Sequence, residues 1–156
     1  MNAVRDTIPA PAEIKPWDSQ SEELECTMVL EDSADVKTFC FQTSRPSWFR
    51  YAAGQFVTLQ VTIDGQTHMR CYTLSSSPSR PVCVTITVKA APGGKVSNWL
   101  HANLKVGDRI RARGPAGIFS IALHPADKYL FLSGGVGITP PTPTAPGPVT
   151  EAASTS

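Results

Sequence analysis

The sequence predicts a small antiparallel β-barrel with one helix, followed by the first strand of a second, incomplete α/β domain. Between residues 24 and 113, apolar and polar residues alternate in five or six short runs separated by turn-forming residues, which is typical of such a barrel. A single run with helical spacing comes late, after Gly93–Gly94. The apolar run Tyr129–Leu132 is continuous instead of alternating, as in a parallel strand that is buried on both faces.

The overall composition argues against proteins that bind nucleic acids or membranes. The chain has 156 residues, enough for one sizeable domain, and its 14 basic and 13 acidic residues give a net charge of +1. This balance does not favour a nucleic acid or an anionic membrane as the partner. No apolar run is long enough to span a membrane and the first residues lack the pattern of a signal peptide, so we predict a soluble cytoplasmic protein.

The four cysteines are predicted to be structural. They are widely spaced and form no C-x-x-C pair, which argues against a zinc site and against an iron–sulfur cluster. Each lies in an apolar or alternating run, so we expect buried thiols in a reducing cytosol. These residues are Cys26, Cys40, Cys71 and Cys83.

The barrel strands are predicted from their alternation and from the turns between them. They cover residues 24–30, 36–43, 54–63, 68–75, 82–89 and 109–113. The first should bury one face, formed by Leu24, Cys26, Met28 and Leu30. Asp64–Gly65 is the signal for a tight hairpin between the third and fourth strands. The helix is predicted over residues 95–102, where Val96, Trp99 and Leu100 have helical spacing.

The strand at residues 68–75 carries the side chains with the clearest chemical meaning. Successive side chains of a strand point to opposite faces, so Arg70, Tyr72 and Leu74 share one face. This face could offer a guanidinium to an anion and an aromatic ring to a planar ligand. The alternative is an ordinary strand with a solvated arginine and a tyrosine at the edge of the core. On this strand alone the second interpretation is favoured.

Two glycine-rich turns follow later in the chain. The first, Gly93–Gly94, precedes the predicted helix, whose first amides and Ser97 hydroxyl suit a phosphate group. The second, Gly134–Thr139, follows the apolar strand in the way that an α/β unit begins. The proline-rich residues 141–148 that come next cannot form the expected helix. We therefore interpret the chain as the product of a truncated or altered gene with a disordered end.

Four motifs, in this order, resemble the ferredoxin–NADP⁺ reductase superfamily, and most closely the reductase components that supply electrons to Rieske oxygenases or to hybrid-cluster proteins. They are G-Q-F-V at Gly54–Val57, R-C-Y-T-L-S-S at Arg70–Ser76, G-G-K-V-S at Gly93–Ser97 and G-G-V-G-I-T-P at Gly134–Pro140. The resemblance implies a six-stranded antiparallel Greek-key flavin-binding barrel with one inserted helix, followed by the first strand of a truncated nicotinamide-binding domain. The implied divisions are a disordered leader at 1–21, the barrel at 22–124, the nicotinamide-domain remnant at 125–140 and a disordered tail at 141–156.

The resemblance also implies a cofactor and roles for single residues. The cofactor is FAD, with FMN as the alternative, and NAD(P)H is the electron donor of full-length relatives. Arg70 would pair with the flavin pyrophosphate, Tyr72 would pack on the isoalloxazine ring and Thr73 would hydrogen-bond near N5, so the last two are the candidate catalytic residues. Val88 and Lys89 would line the ribityl and phosphate side. The helix start would bind the pyrophosphate through Gly94, Lys95, Val96 and Ser97. The nicotinamide would approach the flavin beside Gly135, Gly137 and Thr139.

The implied function is transfer of electrons from NAD(P)H through FAD to an iron–sulfur or oxygenase partner, impaired by the truncation. A non-enzymatic flavin-binding protein or an inactive barrel remnant is the alternative, since the apolar strand at Tyr129–Leu132 has no sheet to join. An oligonucleotide-binding barrel is disfavoured, because the basic residues form no stripe with interleaved aromatic residues.

Two further groups of polar residues are interpreted as ordinary surface or packing residues. Arg109, Arg111 and Arg113 form one predicted strand face, which we interpret as solvated, with docking of an acidic electron partner as the alternative. The histidines are scattered and suggest no ligand set. They are His68, His101 and His124.

Overall fold

The computed structural model of the chain describes residues 14–130, which contain eight strands and one helix. The strands are β1 (Lys15–Pro16), β2 (Leu24–Ser33), β3 (Val36–Thr43), β4 (Ser47–Trp48), β5 (Phe56–Ile63), β6 (Gln66–Thr73), β7 (Val84–Lys89) and β8 (Arg109–Ala116). The helix α1 covers Lys95–Asn103. The predicted barrel strands and the inserted helix are all present.

Six of the strands described for residues 14–130 form one antiparallel sheet in the order β6-β5-β8-β2-β3-β7. The edge strands β6 and β7 come together at one end, where Leu74 and Ile86 form an isolated bridge. Just beyond it, the amide of Ser75 donates to the carbonyl of Thr85 at 2.8 Å, and the hydroxyl of Ser76 accepts from the Thr85 amide at 3.0 Å. The sheet therefore curls as expected for the predicted barrel, and its two edge strands approach each other at this end without pairing along their length.

The helix α1 packs on the barrel core and contacts β7. Val96 and Leu100 insert into the core, and Trp99 packs against it. At the helix start, Lys95 Nζ lies 3.9 Å from a carboxylate oxygen of Asp64 in the β5–β6 turn. Because β6 and β7 are bridged only at Leu74 and Ile86 among the described residues, we infer an opening between the rest of these two strands, near the first turn of α1.

The inward faces of the central strands follow the predicted alternation. Their buried side chains form one cluster, which includes Phe39, Phe41, Val57, Leu59, Val61, Ile63, Val84, Ile86 and Val88. The hairpin between β5 and β6 is also confirmed: Asp64 and Gly65 have φ angles of 52° and 73°, the left-handed conformation that a two-residue turn of this kind requires. It pairs Ile63 with Gln66, which sets the register of the rest of β6.

The predicted buried face of the first strand is wrong in its second half. Leu24 and Cys26 are buried, but a β-bulge between Cys26 and Met28 moves the following side chains to the other face. Met28 is 45% exposed and Leu30 47% exposed, whereas Val29 packs against the core. The strand also continues to Ser33, so the predicted polar turn is shorter than the alternation indicates.

The sequence predicts that all four cysteines are buried, but the structure buries only two of them. All four are free thiols, of which Cys26 and Cys40 are buried and Cys83 is half-buried. Cys71 is exposed on β6, because its side chain points away from the barrel interior. Burial raises the pKa of the Cys26 thiol to about 11.

We expect iodoacetamide to modify Cys71 first and to leave Cys26 almost unmodified in the folded protein at pH 8. The thiolate is the reactive form, and a pKa of about 11 leaves few thiolates on Cys26 at that pH. Mass spectrometry of peptides sampled over time measures both rates, and a urea-unfolded sample gives the rates without burial. Equal rates for the two residues in the folded protein would contradict the burial described above.

The chain that precedes β2 packs on the barrel. The strands β1 and β4 pair in parallel, and Trp17 is 8% exposed with its ring centroid 5.4 Å from that of Phe49. Residues 15–17 therefore pack on residues 47–49, although they belong to the leader that the sequence predicts to be disordered. The division into domains otherwise stays a prediction.

The segment after β8 does not show the predicted strand in its described part. Residues 128–130 belong to no strand or helix, and the rest of the predicted strand lies outside the described residues. The same holds for the glycine turn with Gly135, Gly137 and Thr139 and for the tail at 141–156. Among the described residues, no helix is long and apolar enough to span a membrane.

Candidate functional site

The candidate site is the opening between β6, the end of β7 and the first turn of α1, which we call the β6–α1 opening. Strand pairing fixes which side chains of β6 face it. His68, Arg70 and Tyr72 lie opposite residues of β5 whose side chains fill the barrel, namely Val61, Leu59 and Val57. All three side chains therefore lie on the inner face of an edge strand, where the sheet is open.

Arg70 presents its guanidinium to solvent at the rim of this opening. The side chain is exposed, and its Nη1 donates to the backbone carbonyl of Met69 at 2.8 Å. None of the ion pairs found among residues 14–130 involves Arg70. Most of its N–H donors are consequently available to an anion.

Tyr72 lies beside Arg70 on the same face, as the sequence predicts. Its ring is half-buried and packs against the core. Burial raises the pKa of the Tyr72 hydroxyl, and the positive charge of Arg70 partly opposes that shift. Thr73 is the last residue of β6 and pairs with Phe56, so its side chain is on the other face. The structure thus brings together Arg70 and Tyr72, but not the Thr73 hydroxyl.

The end of β7 forms the opposite side of the opening. Val88 is buried, and its carbonyl oxygen accepts a hydrogen bond from His101 Nε2 at 2.8 Å. The Lys89 ammonium lies 3.3 Å from a carboxylate oxygen of Asp35. Because both side chains are engaged elsewhere, a ligand in the opening would meet these two residues through their backbone.

The start of α1 offers amide groups that no side chain satisfies. Gly94 is the N-cap residue, no side chain caps it, and the first turn contains no acidic residue. A Cβ atom at Gly94 would displace the Ser97 hydroxyl and would lie tightly against Ala91, at 3.0 Å from its Cβ atom and 3.1 Å from its carbonyl oxygen. Around Gly93, which has a φ of 71°, a Cβ atom would meet nothing within 4 Å. The predicted phosphate-binding turn therefore has an uncapped helix start and open space beside it.

Ser97 is held within this turn. Its hydroxyl accepts from the Ala91 amide at 3.4 Å and lies 3.5 Å from the Gly94 carbonyl, which are long distances for hydrogen bonds. Lys95 points instead toward Asp64. The hydroxyl of Ser97 can therefore turn toward a ligand at little cost.

His68 is a residue of the opening that the sequence interpretation missed. Its Nε2 atom is buried and has no hydrogen-bond partner among the described residues. Leaving such a group unpaired costs about 1–3 kcal/mol. Its spacing of two residues from Arg70 was the only signal in the sequence, and it became informative once the strand register was known.

These features together fit the pyrophosphate of a flavin dinucleotide. The opening contains an arginine without an acidic partner, an uncapped helix start, a buried nitrogen without a partner and a half-buried aromatic ring. Each of the first two attracts an anion, and the ring supplies an apolar face for a planar group.

The predicted arginine face on β8 is largely neutralised. Arg109 lies 3.6 Å from a carboxylate oxygen of Glu25, and Arg111 donates to Glu23 at 3.1 Å. These exposed pairs favour the interpretation of a solvated surface over that of a docking site for an acidic partner. No group of three or more His, Cys, Asp or Glu side chains in residues 14–130 is arranged to hold a metal ion.

Comparison with known proteins shows which family the chain resembles. Residues 24–121 match the family described as "Oxidoreductase FAD-binding domain". The glycine betaine monooxygenase reductase subunit of Pseudomonas aeruginosa is 51% identical over 130 residues, which cover 83% of this chain and 36% of that protein. The stachydrine N-demethylase reductase subunit Stc4 of Rhizobium meliloti is 52% identical over 122 residues, which cover 78% of this chain and 35% of that protein. The chain thus spans about a third of the length of these relatives.

Solved structures share the fold. The flavohem-like FAD/NAD binding domain of nitric oxide dioxygenase from Vibrio cholerae O1 biovar El Tor superposes with a TM-score of 0.59 at 30% identity, over 64% of this chain and 45% of that one. Full-length CYP116B46 from Tepidiphilus thermophilus gives a TM-score of 0.68 at 28% identity, over 85% of this chain and 18% of that one.

Proposed function

Because the chain belongs to the oxidoreductase FAD-binding domain family, we propose that the β6–α1 opening binds FAD and that the chain is the flavin-binding part of a reductase. The observation that carries this proposal is the exposed guanidinium of Arg70, which has no acidic partner among residues 14–130; the uncapped start of α1 is the second group of the described chain that suits an anion. A diphosphate between these two groups would receive charge-assisted hydrogen bonds from both sides.

In this proposal each residue of the opening has a binding or positioning role. Arg70 pairs with the pyrophosphate, and the amides from Gly94 to Ser97 bind it from the other side. Tyr72 packs against the isoalloxazine ring and shields it from water. Thr73, whose side chain is on the other face of β6, would contact the flavin through its backbone, and the backbone of Val88 and Lys89 lines the ribityl side of the flavin. When bound, FAD supplies the capacity to accept a hydride and to release single electrons.

The donor and the acceptor are proposed by analogy with the longer relatives. We propose NAD(P)H as the electron donor. The acceptor would be an oxygenase component or another iron–sulfur protein, since the relatives named above are reductase subunits of a monooxygenase and of an N-demethylase. We place the chain in the cytoplasm, where a reducing environment would keep all four cysteines as the free thiols observed here.

A flavin titration tests the proposal. We expect the purified chain, stripped of any bound flavin, to quench the fluorescence of added FAD with a stoichiometry of about one per chain. FMN, which lacks the second phosphate, should bind more weakly because it can engage fewer of the pyrophosphate contacts. Anaerobic NADH should then bleach the bound flavin. Absence of quenching by either flavin would refute the proposed function.

A further inference from the structure

We propose that His101 is a positioning residue that fixes the start of α1 against the end of β7 and thereby sets the affinity for FAD. The inference rests on the proposed function and adds a residue outside the motifs. No sequence motif connects this histidine with the site, because it lies near the C-terminal end of α1.

His101 is held from two strands at once. Its Nε2 atom lies 2.8 Å from the carbonyl oxygen of Val88 at the end of β7, and its ring meets the Phe39 ring edge-on with centroids 6.3 Å apart. Its own carbonyl oxygen accepts a hydrogen bond from Lys37 Nζ on β3 at 3.4 Å. The same ammonium group lies 3.0 Å from a carboxylate oxygen of Glu31. The imidazole therefore has one fixed position between the helix and the sheet.

The other contacts of α1 define its position less sharply. Val96 and Leu100 are buried, but apolar contacts tolerate small rotations and shifts. The ion pair at the helix start, between Lys95 and Asp64, is 3.9 Å long and exposed, so it contributes little. Among the described residues, the bond from the imidazole of His101 to Val88 is the short, directional link from a side chain of α1 to a strand.

The hydrogen bond from His101 to Val88 also affects the position of the first turn of α1. Lys95 and His101 are separated by about 9 Å along the helix axis, because an α-helix rises 1.5 Å per residue. The connection from Val88 to the helix start is short, and its Ala90 amide is tied to the Asp35 carbonyl at 2.7 Å. Loss of the His101 bond would let α1 shift against β7 and would move the first-turn amides relative to a pyrophosphate bound by Arg70.

The hydrogen bond from His101 to Val88 determines which variants can test the positioning role. Val88 provides a carbonyl acceptor, so the Nε2 atom of His101 must carry a proton. In H101Q the amide nitrogen reaches nearly the same point and can donate. In H101N the amide is one methylene shorter and cannot reach, and H101F keeps a ring against Phe39 without a donor.

We expect H101F and H101N to raise the dissociation constant for FAD about three- to tenfold, the effect of one lost hydrogen bond. H101Q should stay within about twofold of the wild type. The ³¹P NMR signals of bound FAD should shift in H101F and H101N and stay in place in H101Q. As the control, H124F removes a comparable bond, from His124 Nε2 to the Ile118 carbonyl at 3.0 Å, and should leave FAD affinity unchanged.

The outcomes separate this inference from the proposed function. A wild-type chain that binds no FAD would overturn both. If the wild type binds FAD and H101F and H101N bind it equally well, the positioning role of His101 is wrong, whereas the proposed function stands. Equal weakening in H101N and H101Q would also overturn it, because the restored donor should rescue affinity. Should H101F fail to fold, the comparison of H101N with H101Q still tests the positioning role of His101.

Discussion

Replacement of Arg70 by alanine is expected to weaken FAD binding about 10- to 100-fold and to leave the fold intact. A hydrogen bond to a charged group contributes about 1.5–3 kcal/mol, which corresponds to this range of dissociation constants. The fold should survive because the side chain is exposed and donates a hydrogen bond to the carbonyl of its neighbour Met69, not to a residue of the core. Fluorescence titration with FAD measures the affinity, and far-ultraviolet circular dichroism checks the fold.

Two control variants locate the cause of the expected loss. R70K keeps the positive charge but not the forked donors, so its affinity should lie between those of the wild type and R70A. R113A removes another exposed arginine, on β8, and should bind FAD like the wild type. Equal affinity of R70A and R113A would show that Arg70 is not the pyrophosphate ligand.

Replacement of Gly54 by alanine is expected to lower the free energy of unfolding by about 3 kcal/mol or more. Gly54 has a φ of 93°, which costs an L-residue about 1–2 kcal/mol. In addition, its Cβ atom would collide with the backbone carbonyl of Phe119, which cannot move away as a flexible side chain could. The segment after β8 would have to separate from the start of β5, where Gln55 Nε2 now donates to the Gly117 carbonyl at 3.1 Å.

Gly65 provides the matched control for this substitution. It also has a positive φ, of 73°, but a Cβ atom there would meet nothing within 4 Å. G65A should therefore show the conformational cost alone, and the difference between the two variants measures the collision at Gly54. Urea unfolding followed by tryptophan fluorescence gives both free energies. Equal losses in the two variants would contradict the close approach of the Phe119 backbone to Gly54.

The alternation of residues was enough to predict most of the barrel, and its failure in β2 has a physical cause. In β5 each apolar residue from Val57 to Ile63 faces the core, because the strand is regular and its hairpin sets the register. In β2 a bulge after Cys26 reverses the faces without any change in the sequence pattern. A bulge depends on how the partner strand fits, which a local pattern does not contain.

The candidate site shows the same division between local and long-range information. Arg70 and Tyr72 were predictable as one face because they are two residues apart on a strand. The importance of His68 arises from its position opposite Val61, and that of His101 from its bond to Val88, which is 13 residues earlier in the chain. Thr73 was assigned to the flavin by its motif, but its side chain is on the other face of β6.

A crystal structure of the chain with bound FAD would test the central claim most directly. The claim is that the pyrophosphate lies in the β6–α1 opening, between the guanidinium of Arg70 and the first amides of α1. We predict phosphate oxygens about 2.8 Å from the Arg70 guanidinium and about 2.9 Å from backbone amides between Gly94 and Ser97, with the isoalloxazine ring against Tyr72. FAD bound elsewhere on the barrel, or bound with its pyrophosphate away from Arg70 and the start of α1, would contradict the claim.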